Sequence, residues 1–366
     1  MIRFLLIRSL APIAVLAAFA GAAAAQEKVV NVYNWSDYID PAVLDEFTKE
    51  TGIKVVYDTY DNNEIVETKL LAGKSGYDIV VPSGPFLQRQ IKAKVFQPID
   101  KAKIPNLSNM WPEITKQLGV FDPGNVYAVN YMWGTTGLGL NLDKVKERLG
   151  DVPFNTWDLV MKPEIASKLK DCGIYMLDSP EDLFPGILNY LGLNPDSKDP
   201  KDLRKAADAL MKVRGNIRKF HSSEYINALA NGDICVAVGY SGDVLQAKSR
   251  SEEAKNGVNI GYVIPKEGAL MWFDSMAIPA DAAHVEEAHA FIDFMNRPEI
   301  AARNVDVVSY ASGNLAAKKF VDPAILNNPG IYPDDATMKR LFTNTAYDDT
   351  AQRTVTRLWT RIKTGR

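Results

Sequence analysis

Cysteine and histidine are scarce in this sequence, which has only Cys172, Cys235 and three histidines among 366 residues. His284 and His289 stand among alanine and glutamate in a helical pattern and are predicted to face solvent, whereas His221 precedes two serines and is predicted to lie in a loop. No spacing of His, Cys, Asp and Glu is typical of a metal site, and neither a P-loop nor a dinucleotide fingerprint is present. These absences argue against metal, nucleotide and thiol enzymes, and the sequence indicates no cofactor.

Long hydrophobic runs are also missing, apart from the first 25 residues. There, Arg3 and Arg8 precede the apolar run Leu10–Ala20, and small residues follow up to Ala25. A positive start, a short apolar run and small residues at its end are typical of a secretory signal peptide, and the run is too short to span a bilayer. We therefore predict cleavage after Ala25 and an exported, soluble mature chain.

An excess of basic residues is absent as well, since 42 Lys and Arg stand against 45 Asp and Glu, for a net charge of −3. Proteins that bind nucleic acid or anionic membranes usually carry basic patches, so this balance argues against both partners. In an exported chain, the two cysteines are expected to form a disulfide, Cys172–Cys235. The length predicts two domains with separate cores.

The remaining sequence alternates between strand and helix patterns, which predicts an α/β fold with a mainly parallel sheet. Asn31–Ile39 is a short apolar strand with a polar, aromatic end, and the helix that follows has Pro41 in its first turn. The glycine-containing extended run Val126–Asn141 is interpreted as a crossing between two lobes, and a short strand is predicted at Val305–Tyr310. The predicted divisions are a signal peptide (1–25), the first part of lobe 1 (26–132), the first part of lobe 2 (133–258), a return segment of lobe 1 (259–312) and C-terminal helices mainly of lobe 2 (313–366).

Polar side chains follow three of the predicted strands at the point where each strand ends. Trp35-Ser36-Asp37, Pro82-Ser83-Gly84 and Gly239-Tyr240-Ser241-Gly242-Asp243 each open onto a helix. Because ligands of open α/β sheets bind outside the carboxyl ends of strands, one cleft between the lobes would collect all three. Asp37 and Asp243 have the alternative role of simple helix caps. Asp274, between apolar residues of a predicted strand, is costly to bury without a positive partner.

Acids and aromatic rings in one cleft suit a polyamine. Each ammonium group can donate three hydrogen bonds to carboxylates, and the methylene chain can lie between aromatic rings that also attract the cation. Two alternatives remain: a receptor for another small solute such as a sugar, and a secreted hydrolase that uses paired carboxylates. A serine hydrolase is disfavoured because the sequence around Ser241 lacks the final glycine of G-x-S-x-G.

Eight stretches of the chain form an ordered series of longer motifs. They are YNWSDYI (33–39), TGIKVVYD (51–58), YDIVVPS (77–83), SSEYI (222–226), LANGDICVA (229–237), GYSGD (239–243), IPKEG (264–268) and NPGIYP (328–333). In this order they resemble the motifs of bacterial periplasmic polyamine-binding proteins, the soluble receptors of ABC importers for putrescine and spermidine. The resemblance extends over essentially the whole mature chain.

This resemblance implies a two-lobed type II periplasmic binding protein fold with the ligand cleft between the lobes, and a Cys172–Cys235 disulfide. It also implies a monomeric periplasmic receptor without catalysis that delivers a polyamine to an inner-membrane ABC permease. Asp182 is the alternative to Glu181 as the acid that faces the ligand, and the indole of Trp272 favours spermidine over putrescine. The implied ligand contacts are Trp35, Ser36, Asp37, Tyr38 and Ser83 from the first lobe, Glu181, Tyr240 and Asp243 from the second, and Trp272, Asp274 and Tyr310 to complete the site.

Overall fold

The structure is a computed structural model that describes residues 28–365. The predicted signal peptide, residues 1–25, lies outside the described residues. Within residues 28–365, no helix combines the length and the apolar character needed to cross a membrane.

The strands of the described chain join into one mixed sheet. They are β1 (Val29–Trp35), β2 (Lys54–Tyr60), β3 (Ile79–Val80), β4 (Ala128–Asn141), β5 (Ile174–Met176), β6 (Ile217–Phe220), β7 (Val236–Tyr240), β8 (Ile260–Val263), β9 (Ala269–Ala277), β10 (Ala311–Ser312) and β11 (Leu341–Phe342). The sheet order is β2-β1-β3-β9-β4-β7-β5-β6, and β8 and β10 also pair with β4, and β11 with β9. β1 is parallel to β2 and β3, and β5 to β6 and β7, whereas β4 is antiparallel to β7 and β9.

Helices connect the parallel strands of the sheet. They are α1 (Pro41–Thr51), α2 (Asn63–Ala72), α3 (Gly84–Lys92), α4 (Pro112–Leu118), α5 (Leu142–Leu149), α6 (Asp158–Met161), α7 (Pro163–Leu169), α8 (Pro180–Tyr190), α9 (Pro200–Val213), α10 (Tyr225–Ala230), α11 (Ser241–Ala254), α12 (Val285–Met295), α13 (Pro298–Val308), α14 (Pro323–Leu326), α15 (Asp335–Met338) and α16 (Asp349–Thr364), with short 3-10 helices at Lys101–Lys103, Pro105–Asn109, Arg214–Asn216 and Ala316–Lys319. α1 begins as predicted, because Asp40 accepts from the amide of Ala42 and Pro41 occupies the first position.

Strand β4 belongs to both lobes. Ala128–Thr136 pairs with β9 on one side, and Thr136–Leu140 pairs with β7 on the other. The first lobe has its core around β1, β3 and β9, whereas the second has a separate core around β5, β7, α9 and α16. The two-lobed fold is therefore as predicted, and β4 runs without a break through the predicted boundary at 132/133. The exact lobe boundaries stay a prediction.

Two local predictions are wrong. Within the predicted strand Val305–Tyr310, Val305–Val308 is the end of α13 and the last two residues follow the helix; Val305 and Val308, three residues apart, are both buried on one helix face. His289 does not face solvent: its Nε2 accepts from the amide of Asp100 at 2.9 Å, and its Nδ1 lies 2.7 Å from the carbonyl of Val285. It is therefore a satisfied core histidine.

The disulfide prediction is confirmed, since Cys172 and Cys235 are bonded. Cys172 lies just before β5, and Cys235 just before the neighbouring strand β7. The bond thus fixes the starts of two parallel strands in the second lobe. The carboxyl end of β7, at Tyr240, leads directly to α11 at the interlobe face.

Candidate functional site

A cavity of about 480 Å³, including the part open to solvent, lies between the two lobes at the ends of β1, β3 and β7 and beside the middle of β9. Nine of the eleven predicted ligand contacts line it, and Asp37 and Glu181 do not. The residues that line this cleft are Trp35, Ser36, Tyr38, Tyr60, Asp61, Ser83, Asp182, Ser222, Ser223, Ile226, Tyr240, Asp243, Trp272, Asp274 and Tyr310.

Asp274 lies in the middle of β9, where every residue is buried. Its carboxylate accepts from the hydroxyl of Ser83 at 2.6 Å and from that of Tyr38 at 2.9 Å. Ser83 is itself fixed, because its hydroxyl accepts from the side-chain amide of Asn63 at 3.0 Å. Burial nevertheless raises the pKa of Asp274 to about 7, and the charges of Asp182 and Asp243 add to the rise. The site therefore holds a carboxylate that lacks a positive partner.

Asp243 enters the cleft from the first turn of α11. Its two carboxylate oxygens accept from different tyrosines, Oδ1 from Tyr310 at 2.5 Å and Oδ2 from Tyr225 at 2.7 Å. Burial raises the pKa of Asp243 to about 6, although both hydrogen bonds oppose the rise. The alternative role of Asp243 as a simple helix cap is therefore not supported, since its side chain bonds to tyrosines and not to the amides of α11.

Asp182, and not Glu181, is the acid of α8 that lines the cleft. Asp182 accepts from the hydroxyl of Tyr240 at 2.9 Å, and burial raises its pKa to about 6. Glu181 turns away and lies 3.4 Å from the side-chain amide of Gln352 on α16. Because successive residues of a helix point about 100° apart, only one of the two adjacent acids can face the cleft. The structure thus places Asp182, the alternative to Glu181, at the cleft, and which of the two acids contacts the ligand stays a prediction.

Asp37 also lies outside the cleft. It has a left-handed backbone with φ of 54°, and its carboxylate pairs with Arg250 of α11 at 2.7 Å. This turn directs the side chain to the half-exposed rim, while Trp35, Ser36 and Tyr38 on either side point inward. The carboxylate of Asp37 is therefore occupied by an interlobe ion pair, and its direct contact with the ligand stays a prediction.

Five aromatic rings form a continuous wall around the acids. Neighbouring ring centroids lie 6.4 Å apart for Trp35 and Tyr240, 5.6 Å for Tyr240 and Trp272, 5.3 Å for Trp272 and Tyr310, and 5.1 Å for Tyr310 and Tyr38. The interplanar angles of all four pairs lie between 65° and 80°. Such edge-to-face contacts hold each ring in place and leave ring faces for a cation or a methylene chain.

Several lining residues were not predicted from the sequence. Tyr60 is the last residue of β2 and Asp61 follows it, and Asp61 accepts from the hydroxyl of Ser36 at 2.8 Å. The sequence carries a signal for them, because an aromatic and an acidic residue stand together at the end of β2, as they do at the end of the neighbouring strand β1. Ser222 and Ser223 lie in a loop before α10, where no pattern marks them as ligand contacts.

The charged side chains that line the cleft are all acidic. The side-chain donors to Asp182, Asp243 and Asp274 are all hydroxyl groups, and Arg250 pairs with Asp37 instead. Within residues 28–365, no group of three His, Cys, Asp or Glu side chains is arranged to hold a metal ion. The arrangement can therefore bind a cation that brings its own hydrogen-bond donors.

Comparison with known proteins agrees with this geometry. Residues 42–333 match the family described as bacterial extracellular solute-binding protein. The chain is 56% identical over 346 residues to "Putrescine-binding periplasmic protein SpuD" of Pseudomonas aeruginosa, with 94% of each chain covered. It is 51% identical over 355 residues to "Putrescine-binding periplasmic protein PotF" of Escherichia coli, with 96% of each chain covered.

A solved structure shows the same fold. The putative spermidine/putrescine ABC transporter from Listeria monocytogenes superposes with a TM-score of 0.83 at 33% identity, and the match covers 93% of this chain and 100% of that chain. The matched range, the identities and the likeness of fold together show that this chain is a member of the bacterial extracellular solute-binding protein family, with the two-lobed type II periplasmic binding fold.

Proposed function

We propose that the protein is a periplasmic receptor that binds a polyamine, putrescine or spermidine or both, and delivers it to an inner-membrane ABC permease. The observation that carries the proposal is that Asp182, Asp243 and Asp274 face one aromatic-walled cleft with hydroxyl groups as their side-chain donors. The names of the two similar relatives, both putrescine-binding periplasmic proteins, support the same ligand class. We propose that the receptor acts as a monomer and has no catalytic step.

The chemistry of a polyamine complements the cleft. An ammonium group beside Asp274 or Asp243 would supply the positive charge that these buried carboxylates lack, and each charge-assisted hydrogen bond contributes about 1.5 to 3 kcal/mol. Cation–π contacts with rings such as Trp272 would add about 0.5 to 2 kcal/mol each. Micromolar affinity requires roughly 8 kcal/mol. Three charge-assisted bonds and two cation–π contacts would together contribute about 5.5 to 13 kcal/mol, a range whose upper half exceeds this requirement and leaves a margin for the ordering of the flexible chain.

A sugar receptor would be built differently. Sugar hydroxyls both donate and accept, whereas the cleft offers acceptor oxygens of three carboxylates that would keep an uncompensated charge around a neutral guest. A ligand that carries only donors and positive charge fits this set of acceptors.

The choice between a diamine and a triamine depends on the slot between the rings, to which Trp272 and Tyr240 contribute.

A thermal-shift screen tests the ligand class, because a ligand that binds only the folded state raises the melting temperature by mass action. We expect putrescine and spermidine to raise it, and amino acids, glucose and maltose to have no effect. Calorimetric titration with both amines side by side then gives their order of affinity. A response to sugars with no response to amines would contradict the proposal.

A further inference from the structure

Tyr225 is a buried residue next to the cleft that does not line it. It is the first residue of α10, its side chain is completely inaccessible to solvent, and its hydroxyl makes two hydrogen bonds. The hydroxyl accepts from the main-chain N–H of Tyr240 at 3.0 Å and donates to Oδ2 of Asp243 at 2.7 Å. It therefore connects the end of β7 with the acid of α11.

The direction of the bond to Asp243 is fixed by the bond to Tyr240. A phenol has one hydrogen, and the main-chain N–H of Tyr240 can only donate, so the phenol must accept there and give its hydrogen to Asp243. Tyr310 repeats the arrangement on the other oxygen, since it accepts from the amide of Asp243 at 3.0 Å and donates to Oδ1. Both oxygens of Asp243 thus receive a hydrogen, which stabilises the ionised carboxylate, and each oxygen keeps a lone pair that an ammonium group can use.

We propose that Tyr225 is a positioning residue for the ligand: it holds Asp243 in its ionised form and its orientation toward the cleft, and through Tyr240 it orients the ring whose hydroxyl bonds to Asp182. The inference rests on the proposed polyamine function. It concerns a residue that touches no ligand, so nothing in the shape of the cleft would reveal it.

The close fit of the Tyr225 ring supports a fixed position. A Cβ at Gly239 of β7 would lie 2.5 Å from this ring, so glycine is the residue that lets the ring approach the strand. The ring cannot move away from Asp243 without losing its contact with Gly239. The hydroxyl is therefore held by the main chain on one side and by packing on the other.

Neighbouring groups on several elements shift the pKa of Asp243 in opposite directions. Burial raises its pKa, and Asp37 at the end of β1 raises it further, whereas Arg250 of α11 lowers it together with the hydroxyls of Tyr310 and Tyr225. Asp274 of β9 is a further neighbouring acid, whose own pKa the charge of Asp243 raises. Removal of one hydroxyl donor should shift this balance toward the protonated acid.

The test is the affinity for putrescine and spermidine, measured by calorimetry between about pH 5.5 and pH 9, for the wild type and Tyr225→Phe. Because one donor to the ionised carboxylate is lost, we expect the midpoint of the affinity curve to move up by about one pH unit. Affinity should fall by about tenfold near pH 6 and recover toward the wild-type value at the alkaline end. Tyr190→Phe is the matched control, since its hydroxyl donates to Asp158 at 2.8 Å outside the cleft.

A purely structural role predicts a different result, in which affinity falls equally at every pH or only the melting temperature changes. Either result, or an unchanged midpoint, would overturn the inference. If Tyr225→Phe does not fold, 3-fluorotyrosine introduced at position 225 alone replaces it: its stronger phenol donor should move the midpoint to lower pH, and an upward or absent shift would again overturn it. Failure of the wild type to bind either amine would instead contradict the proposed function.

Discussion

Asp274 is the residue on which ligand affinity is expected to depend most. It is 4% exposed, it accepts from Ser83 and Tyr38, and burial still raises its pKa to about 7. A buried carboxylate in this state gains more from an ammonium group than a surface carboxylate does, because water screens it less. The same burial makes the carboxylate costly when the cleft is empty.

Asp274→Asn should weaken polyamine binding by at least about tenfold, because the bound ammonium group would lose its counter-charge. Calorimetric titration with putrescine and spermidine measures the change. Asp58→Asn is a matched control, since Asp58 also accepts from a tyrosine hydroxyl, that of Tyr77 at 2.8 Å, but does not line the cleft. Unchanged affinity in Asp274→Asn would remove Asp274 from the site.

At the residue scale, the sequence predicts which residue types meet in the cleft but not always which member of a pair points inward. Trp35, Ser36 and Tyr38 face the cleft as expected, whereas Asp37 between them does not. The left-handed backbone of Asp37 decides this, and no pattern of residue types indicates such a turn for an aspartate. Asp182 faces the cleft in place of its neighbour Glu181 for a similar reason, because the rotation of helix α8 about its axis turns only Asp182 inward.

At the scale of elements, the junction of β7 and α11 determines how close the two lobes approach. A Cβ at Gly242, in the first turn of α11, would lie 2.5 Å from the ring of Tyr310. Only glycine at this position lets Tyr310 lie over the helix start and bond to Asp243. The GYSGD motif therefore supplies both an acid and the space for its partner ring.

Gly242→Ala should displace Tyr310 and break its bond to Asp243, which would lower polyamine affinity by about tenfold, the effect of one lost hydrogen bond to a charged group. Calorimetry measures the affinity, and the melting temperature shows whether the fold is kept. Gly215→Ala is the matched control, because a Cβ there has no neighbour within 4 Å. Equal affinity of the two variants would contradict this role of Gly242.

The disulfide between the starts of β5 and β7 closes a loop with a sequence separation of 63 residues. Replacement of Cys172 and Cys235 by serine should lower the free energy of unfolding by about 2 to 4 kcal/mol, mainly because the unfolded chain gains freedom. Urea unfolding measures this, with polyamine affinity expected to stay within about twofold because the bond lies at the far end of the strands from the cleft. A wild-type protein that loses no stability on reduction would contradict it.

Most elements follow from local patterns, and the exception has a physical cause. α1 is predicted from Pro41, which is its first residue, and the helix ends at Gly52 in the left-handed conformation. Val305–Tyr310 is predicted as a short strand, and three of its six residues are β-branched valines, yet the two buried ones are spaced for a helix face. Tertiary packing overrides local preference here, and a sequence pattern of six residues cannot reveal it.

At the scale of the whole molecule, the cleft exists because residues far apart in the chain meet between two lobes that share β4. Tyr38 bonds to Asp274 of the same lobe, whereas Tyr310 bonds to Asp243 of the other, and Asp37 pairs with Arg250 across the gap. The resemblance of the motifs predicted the two lobes and the cleft. The pairing of particular side chains across the gap could not be predicted, because it depends on how closely the lobes approach.

The three cleft acids make stability and ligand binding depend on pH in opposite ways. Burial raises the pKa of Asp182 and Asp243 to about 6 and that of Asp274 to about 7, so the folded ligand-free protein binds more protons than the unfolded chain between about pH 4 and pH 7. The stability that these three groups contribute to the folded ligand-free protein is therefore greatest below about pH 4, and it is lost as pH rises through 6 to 7. A bound polyamine stabilises the ionised acids and should remove this loss.

We therefore expect the rise in melting temperature on adding saturating putrescine or spermidine to grow between about pH 5 and pH 8, and then to level off. Scanning calorimetry at each pH, with and without the amine, measures it. Asp274→Asn removes the group with the highest of the three pKa values, so its ligand-free form should melt above the wild type near pH 8, while its response to the amine should be smaller and less dependent on pH. A ligand-induced shift of equal size at pH 5 and pH 8 would show that the cleft acids are already ionised at pH 5, and the electrostatic description of the site would be wrong.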